Sequence, residues 1–355
     1  MNQRIVWTAL ALIVPTAARA EDVWREQSQM AVDRAGVSAV EVFNARGEIL
    51  ARPSADGRIH VQALKVVRAT GPARRRELSR ETVVETSRQD GRFVVQVRYP
   101  QRHTVRVSLW KTFGDFTLPR VDVRIVLEVP AGLPVVLNST SGDLRSEDLA
   151  GVQTLRTTSG DVNVQGARAP VQVSTTSGDI SGSDIGNARV VTVSGDLDFS
   201  DSRGVIIATS TSGDVVVRGS SDSLGVRTVS GNVEAEGARR GVSVSTTSGD
   251  IRIRRASGNV QIASQSGEVA AGLAPPLHSA NIEASSGDIH AKLARTLGCR
   301  LDVRTSNGTI GIELPVHAKT VTRRMITAVV REGTTPVQLR TSSGSITVTE
   351  GEGRP

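Results

Sequence analysis

Seven aspartates, Asp143, Asp161, Asp179, Asp196, Asp214, Asp250 and Asp288, each follow a Ser-Gly pair. Asn232 and Glu268 fall in the same phase, so a short acid or amide recurs every 17 or 18 residues from Asp143 to Glu268. If one period is one turn of a stacked coil, these side chains form a column at roughly the strand spacing of about 4.8 Å. Carboxylates that close repel, and a bridging cation would relieve them; Gly- and Asp-rich β-rolls hold calcium in this way. Those rolls have a nine-residue repeat and supply several oxygens per ion. Here each corner brings one carboxylate, and Asn232, Thr309 and Ser345 replace it elsewhere. The seven aspartates are therefore weak calcium candidates, and the preferred expectation is that each caps its own turn and keeps the corner soluble. No metal or cofactor is expected.

The other reactive residues offer less. The five histidines, His60, His103, His278, His290 and His317, lack metal-ligand spacing. Cys299 is the single cysteine, so no intramolecular disulfide can form, and its neighbours Leu297 and Leu301 point to a buried free thiol. A β-helix enzyme acting on polysaccharide would need acids and aromatic platforms on one face. Between residues 135 and 350 the one aromatic is Phe199, and it falls in an inward column. No catalytic residue is assigned, and the chain reads as a non-enzyme.

The elements that position the aspartates follow from the same period. Ser-Gly-Asp or a close variant stands at Ser141, Ser159, Ser177, Ser194, Ser212, Ser230, Ser248, Ser266, Ser286, Asn307 and Ser343. Three residues after each mark comes a branched aliphatic, from Leu144 through Ile180 and Ile251 to Ile310 and Ile346. Four residues before it comes a second apolar column, from Leu137 through Val173 to Leu339, and two before it a run of small hydroxyls such as Thr157, Thr175 and Thr246. Period-2 alternation on either side of a Gly corner describes two short strands per coil. A second turn falls about half a coil away, as at Ser257-Gly258-Asn259. The fold class is all-β: a flattened, right-handed parallel β-solenoid of about eleven coils of about 18 residues, with an N-terminal β-rich capping region.

The chain is organised as a signal peptide over 1–20, the capping region over 21–130, the repeat solenoid over 131–349 and a disordered tail over 350–355. Arg4, the apolar run Ile5 to Val14 and Ala18-Arg19-Ala20 make the signal, with cleavage after Ala20. No later stretch is apolar enough to span a membrane, so no transmembrane segment is expected after cleavage. Cleavage leaves 41 basic against 36 acidic residues, a net charge of +5, too mild to imply nucleic acid. The capping region reads as strands over Ala39 to Phe43, Arg58 to Val67, Arg92 to Arg98, Thr104 to Trp110 and Val121 to Val129, with a short helix or arm over 21–35. Arg68, Arg74, Arg75, Arg76 and Arg80 crowd a loop-like segment between them. These and Arg239-Arg240, Arg254-Arg255 and Arg323-Arg324 read as solvated loops, or as contacts to anionic envelope polymers or lipids. Pro315 to Gly333 breaks the motif, yet Asn307 and Ser343 lie two periods apart, so a degenerate coil is expected between them.

The columns over Val171 to Ile180, Ile206 to Val215 and Val242 to Ile251 resemble the DUF4097 family of β-strand-repeat proteins, which are classed as adhesins by inference from architecture. The resemblance covers about 130 to 350 and implies fold and export, without transferring any catalytic residue. The function expected is an exported, non-enzymatic scaffold, adhesin-like or otherwise interacting with the cell envelope, located in the periplasm or at the cell surface. Its partner would be an envelope or surface component, protein or anionic polymer, with end-to-end self-association open. The alternatives are a periplasmic accessory of envelope-stress or sigma/anti-sigma signalling, and a polysaccharide-active β-helix enzyme.

Overall fold

The computed structural model describes residues 23–100, 119–219 and 222–351, together with the backbone of Arg4–Val6. The signal reading over 1–20 therefore falls almost wholly outside the described residues, as do the strand expected over Thr104 to Trp110 and the last four residues of the tail. The chain divides into two compact units, 1–163 with 167–169, and 164–166 with 170–355.

In the second unit each coil contributes two short strands. Val171–Ser174 and Ile180–Ser183 are followed one coil later by Ala188–Val191 and Leu197–Ser200. Each pairs in parallel with its counterpart, Val173 opposite Val190 and Ile180 opposite Leu197. Two parallel sheets result, one before and one after each Ser-Gly-Asp corner. The inward columns are those read from the sequence: Val173, Val190, Ile262 and Leu339 before the corner, and Ile180, Val215, Ile251 and Ile346 after it, are all buried. Packing of like aliphatics rung on rung is the core of this unit, and Phe199 is fully buried within it. The second corner is less regular. Ile251–Ser266 is one continuous strand in which the turn at Ser257-Gly258-Asn259 survives as a bulge, with positive φ at Arg255 and Gly258 and shifted register toward the next strand.

The last coils do not stack in chain order. Thr335–Ser343 pairs in parallel with the strand containing Ala280–Ser286 on one side and with Cys299–Asn307 on the other. Ile346–Gly351 is likewise held between Ile289–Ala294 and Ile310–Glu313. The final coil is thus inserted ahead of the one that precedes it in sequence. The expected degenerate coil between Asn307 and Ser343 is not formed. His317–Val321 and Met325–Val330 make an antiparallel hairpin, and Met325–Val330 closes the edge of Cys299–Asn307. The two-period interval misled because any insertion of the right length preserves phase. Ile310, in the end coil, is only half-buried, whereas its column mates Ile251 and Ile346 are fully buried.

The first unit shows the same device. Residues 39–53 carry no Ser-Gly-Asp, yet they form a coil in register with the repeats. Val42 pairs with Leu137, Arg46 with Ser141 and Ile49 with Leu144, all in parallel. Arg46-Gly47-Glu48 is the corner, and the Gly47 carbonyl lies where a Cβ on Gly142 would sit. On its other side this coil pairs in parallel with Arg92–Arg98 and Arg120–Val129, which come later in sequence. Asn44 takes the hydroxyl position: its Nδ2 donates to the Val123 carbonyl at 2.6 Å and its Oδ1 lies 2.6 Å from the Tyr99 hydroxyl. Beyond Arg92–Arg98 and Arg120–Val129 the pairing turns antiparallel, through Val83–Gln89 and through Ile59–Arg68 with Val23–Val32. Val23–Val32 replaces the helix or arm expected over 21–35; it pairs antiparallel with Ile59–Arg68, and its residues alternate between half-buried and exposed, with Ser28 buried. The basic segment is a helix, Pro72–Glu81, not a loop. Pro72 sits at its start, and the Ala-Arg-Arg-Arg-Glu-Leu run that follows is made of good helix formers.

Val173→Asp places an unpaired charge among aliphatics and should cost several kcal/mol. Ile251→Ala should cost about 2–5 kcal/mol and Ile310→Ala well under half of that, because Ile310 already meets solvent. Denaturant melts of the three variants check the inward register and the end position together; equal losses at Ile251 and Ile310 would refute the stacking order.

Candidate functional site

The aspartate column is built by the corners. Glycine at the corner is required twice over: Gly213 has φ of 134°, and a Cβ on it would overlap the Gly195 carbonyl of the coil before. That close approach lets the Gly195 N–H donate to the Ser212 carbonyl at 3.1 Å and the Leu197 N–H to the Asp214 carbonyl at 2.9 Å. Between these two ladder bonds the N–H of Asp214 is left over, and Asp196 Oδ1 accepts it at 2.8 Å. The pattern repeats within each unit. Asp143 accepts from Asp161 N–H in the first. In the second, Asp179 accepts from Asp196, Asp214 from Asn232, and Asp250 from Glu268, at 2.7–2.9 Å. Asn232 Oδ1 does the same for the Asp250 N–H at 3.0 Å, which explains why amide and acid interchange. Asp288 accepts from the Ser345 N–H at 2.7 Å, following the inverted coil order. The expectation that each aspartate caps its own turn is therefore corrected: Asp143, Asp179, Asp196, Asp214, Asp250 and Asp288 cap the corner of the next coil. One carboxylate oxygen is committed to backbone, and among the described residues no cluster of three metal-ligating side chains forms.

The buried hydroxyl column divides. Thr157 donates to the Gly142 carbonyl, Thr305 to that of Gly344 and Thr341 to that of Gly287, so these three stitch neighbouring corners. The hydroxyls of Thr175, Thr192 and Thr228 are buried without a hydrogen-bond partner. Cys299 is buried among the end-coil aliphatics, and that burial pushes its thiol up to about 11. The basic helix is largely engaged: Arg74 pairs with Glu77 at 2.6 Å, and Arg76 lies over the Trp24 ring at 5.8 Å.

A further concavity lies elsewhere, and the sequence reading missed it. A trough of about 850 Å³ lies on the outer face of the sheet that precedes the corners in the second unit. Its floor is short and polar: Ser245, Thr247, Gln265, Ser285, Ser342 and Ser306 come from five successive coils. At one end stand Arg340, Arg304 and Arg324. Arg324 reaches the site because its carbonyl, in the turn before Met325–Val330, accepts from the Thr305 N–H at 3.0 Å. The inverted coil order puts Arg340 directly between Glu283 and Arg304. Asp302 binds Arg304 through two contacts of 2.8 and 2.9 Å and raises its affinity for the proton further. Glu283 lies 3.8 Å from Arg340, whose Nε is buried without a partner. Arg323-Arg324 was visible in the sequence as a basic pair; its place beside Arg304 and Arg340 was not, because it depends on the hairpin.

The family described as Toastrack DUF4097 matches residues 80–236 and 182–349. No curated protein matches the chain. Solved structures similar to it include a proposed cell adhesion protein from Clostridium sporogenes, at 8% identity and a TM-score of 0.24, with 92% of this chain and 100% of that one covered. Others are a proposed lipid-binding protein from Parabacteroides distasonis, at 13% and 0.33, and a proposed adhesin from Bacteroides fragilis, at 13% and 0.28, each with 92% of this chain and 97% of that one covered.

Asp214→Ala leaves the Asn232 N–H without its acceptor and should cost about 1 kcal/mol. Asp214→Asn should be nearly neutral, as Asn232 is in the native column. Calcium or chelator should not move the melting temperature of either variant or of the native chain; a calcium-dependent rise abolished by Asp214→Asn would make the column an ion site. Cys299 should resist a thiol reagent at neutral pH until denaturant is added, since the thiol is both buried and protonated; rapid labelling of the native protein would contradict its placement.

Proposed function

The chain belongs to the Toastrack DUF4097 family, and from that premise we propose that it is an exported, non-enzymatic β-solenoid acting as an interaction scaffold in the cell envelope. The observation that carries this reading is the trough. Five coils present short hydroxyl and amide side chains at successive rungs, on a backbone held by ladder bonds, with a cluster of arginines at one end. Short polar side chains lose little rotamer freedom on contact, so a fixed array of them suits recognition of an extended polar partner. The arginines add a charge that favours an anionic stretch of that partner. A polysaccharide-modifying site would need groups placed to transfer protons around one scissile bond. The trough instead spreads its polar atoms along a face.

The signal over 1–20 supports export, and fractionation of cells with protease treatment of intact cells tests it; residence in the cytosol would sink the exported reading. For the trough, the native protein and a Ser285→Trp/Ser342→Trp variant should be compared for retention of envelope material. Both serines are exposed on adjacent rungs, so the variant should fold with an unchanged melting temperature. The native protein should retain a defined envelope component and the variant should lose it. Equal retention by both would move the contact surface away from the trough.

A further inference from the structure

A second cavity, of about 650 Å³, opens on the other sheet of the second unit, formed by the strands that follow the corners. Register explains its shape. One outward row runs Arg252, Ala270, His290 across three adjacent strands, and the next places Gly272 beside Lys292 with Arg254 on the opposite rim. A rung with almost no side-chain bulk therefore lies between two cationic rungs, each about 4.8 Å away. The cleft follows the direction of Val269–Leu273, with Ala270 and Gly272 as its floor.

The charges on the two rims are not equivalent. Arg254 is 3.3 Å from Glu234, and His290 is 3.7 Å from Glu268. Glu350, at the mouth, is already held by Arg331 and Arg295. Arg252 and Lys292 line the cleft from opposite sides, and among the described residues neither has an acid partner. A guanidinium fork and an ammonium thus face one uncharged floor, and the acid in register with Arg252, Glu234, is taken up by Arg254.

We propose that this cleft binds a phosphate-type dianion, carried by a ligand of headgroup size. Two such cations match the two negative charges that a phosphate monoester or a pyrophosphate diester carries, and inorganic pyrophosphate carries at least as many, whereas a single carboxylate carries one. Arg252 supplies the planar fork suited to two phosphate oxygens and Lys292 the mobile point charge. The cavity is larger than a phosphate group alone, so the uncharged remainder of the ligand lies over Ala270 and Gly272. This assignment is independent of the trough, which lies on the other sheet and shares none of these residues.

The test is titration of the full chain with inorganic pyrophosphate at low salt. Binding should be saturable and weaken as salt is added. Arg252→Ala with Lys292→Ala should weaken it by about tenfold or more, the loss of at least one charge-assisted contact. Ala270→Leu should also abolish it, by filling the floor while leaving every charge in place. Arg227→Ala, which removes an exposed cation from the other sheet, should change nothing. Vesicles containing phosphatidic acid, with phosphatidylcholine vesicles as control, separate the two sources of the group. Sedimentation with phosphatidic acid that pyrophosphate competes away assigns a lipid headgroup; pyrophosphate binding without sedimentation assigns a soluble phosphate compound. No binding of either, or equal loss in Arg227→Ala, overturns the proposal.

Discussion

Every coil depends on how closely one Ser-Gly-Asp corner approaches the next. At Gly213 the backbone must take a positive φ and lie against the Gly195 carbonyl with no side chain between them. Only then can the ladder bonds continue through the turn. The turn still leaves one N–H per coil that the ladder cannot use, and the aspartate of the preceding coil accepts it. The three letters of the motif thus have three separate causes: Ser continues the strand pairing, Gly permits the approach, and Asp satisfies the left-over donor. A column of acids on the surface of such a protein needs no ion to account for it. The repulsion between neighbouring carboxylates is set against a charge-assisted hydrogen bond at each step, and both act in an exposed, high-dielectric setting.

A parallel stack built this way has no natural end. Each terminal coil exposes a row of backbone donors and acceptors, which invites pairing with another chain. Each unit closes its terminal coil by reversing strand direction. In the second, Met325–Val330 runs antiparallel along Cys299–Asn307; in the first, Ile59–Arg68 and Val83–Gln89 do the same along Arg120–Val129 and Arg92–Arg98. Both also displace a coil from chain order, so that a coil distant in sequence fills the penultimate place. An inserted coil is paired on both sides, and the coil it displaces carries the hairpin.

The repeating part of this fold was legible in the sequence because its cause is local. A Gly corner followed by Asp and an aliphatic at a fixed offset identifies the inward columns wherever it occurs, and Val173, Ile251 and Leu339 are buried as that pattern requires. The coil at 39–53 escaped because Arg46-Gly47-Glu48 keeps the glycine and the aliphatic Ile49 but not the serine and aspartate. The paired columns Val42 and Asn44 were the available signal. Pro72 at the start of a run of helix formers could likewise have revealed the basic helix. The coil inversion had no local signal at all, since parallel pairing of Thr335–Ser343 with either neighbour satisfies the same inward and outward pattern. The trough was hidden for that reason: Arg304 and Arg340 become neighbours only after the inversion.

Inward positions and corners are committed to stability, so free variation of side chains is confined to alternate outward residues. That restriction makes the outer faces informative. On the sheet before the corners Ser245, Thr247, Ser285, Ser342 and Ser306 are short polar residues at outward positions, and charge gathers at one end where the hairpin adds Arg324. On the sheet after the corners, small Ala270 and Gly272 interrupt a cationic series. Neither choice is required by the ladder, because any residue tolerant of a strand could stand at an outward rung, and Val216 and Arg218 do so a few coils away. The two faces therefore differ by side-chain chemistry alone, on one backbone of nearly constant spacing. Such a backbone tolerates exchange of its outward residues while the Ser-Gly-Asp corners and the aliphatic columns stay as they are.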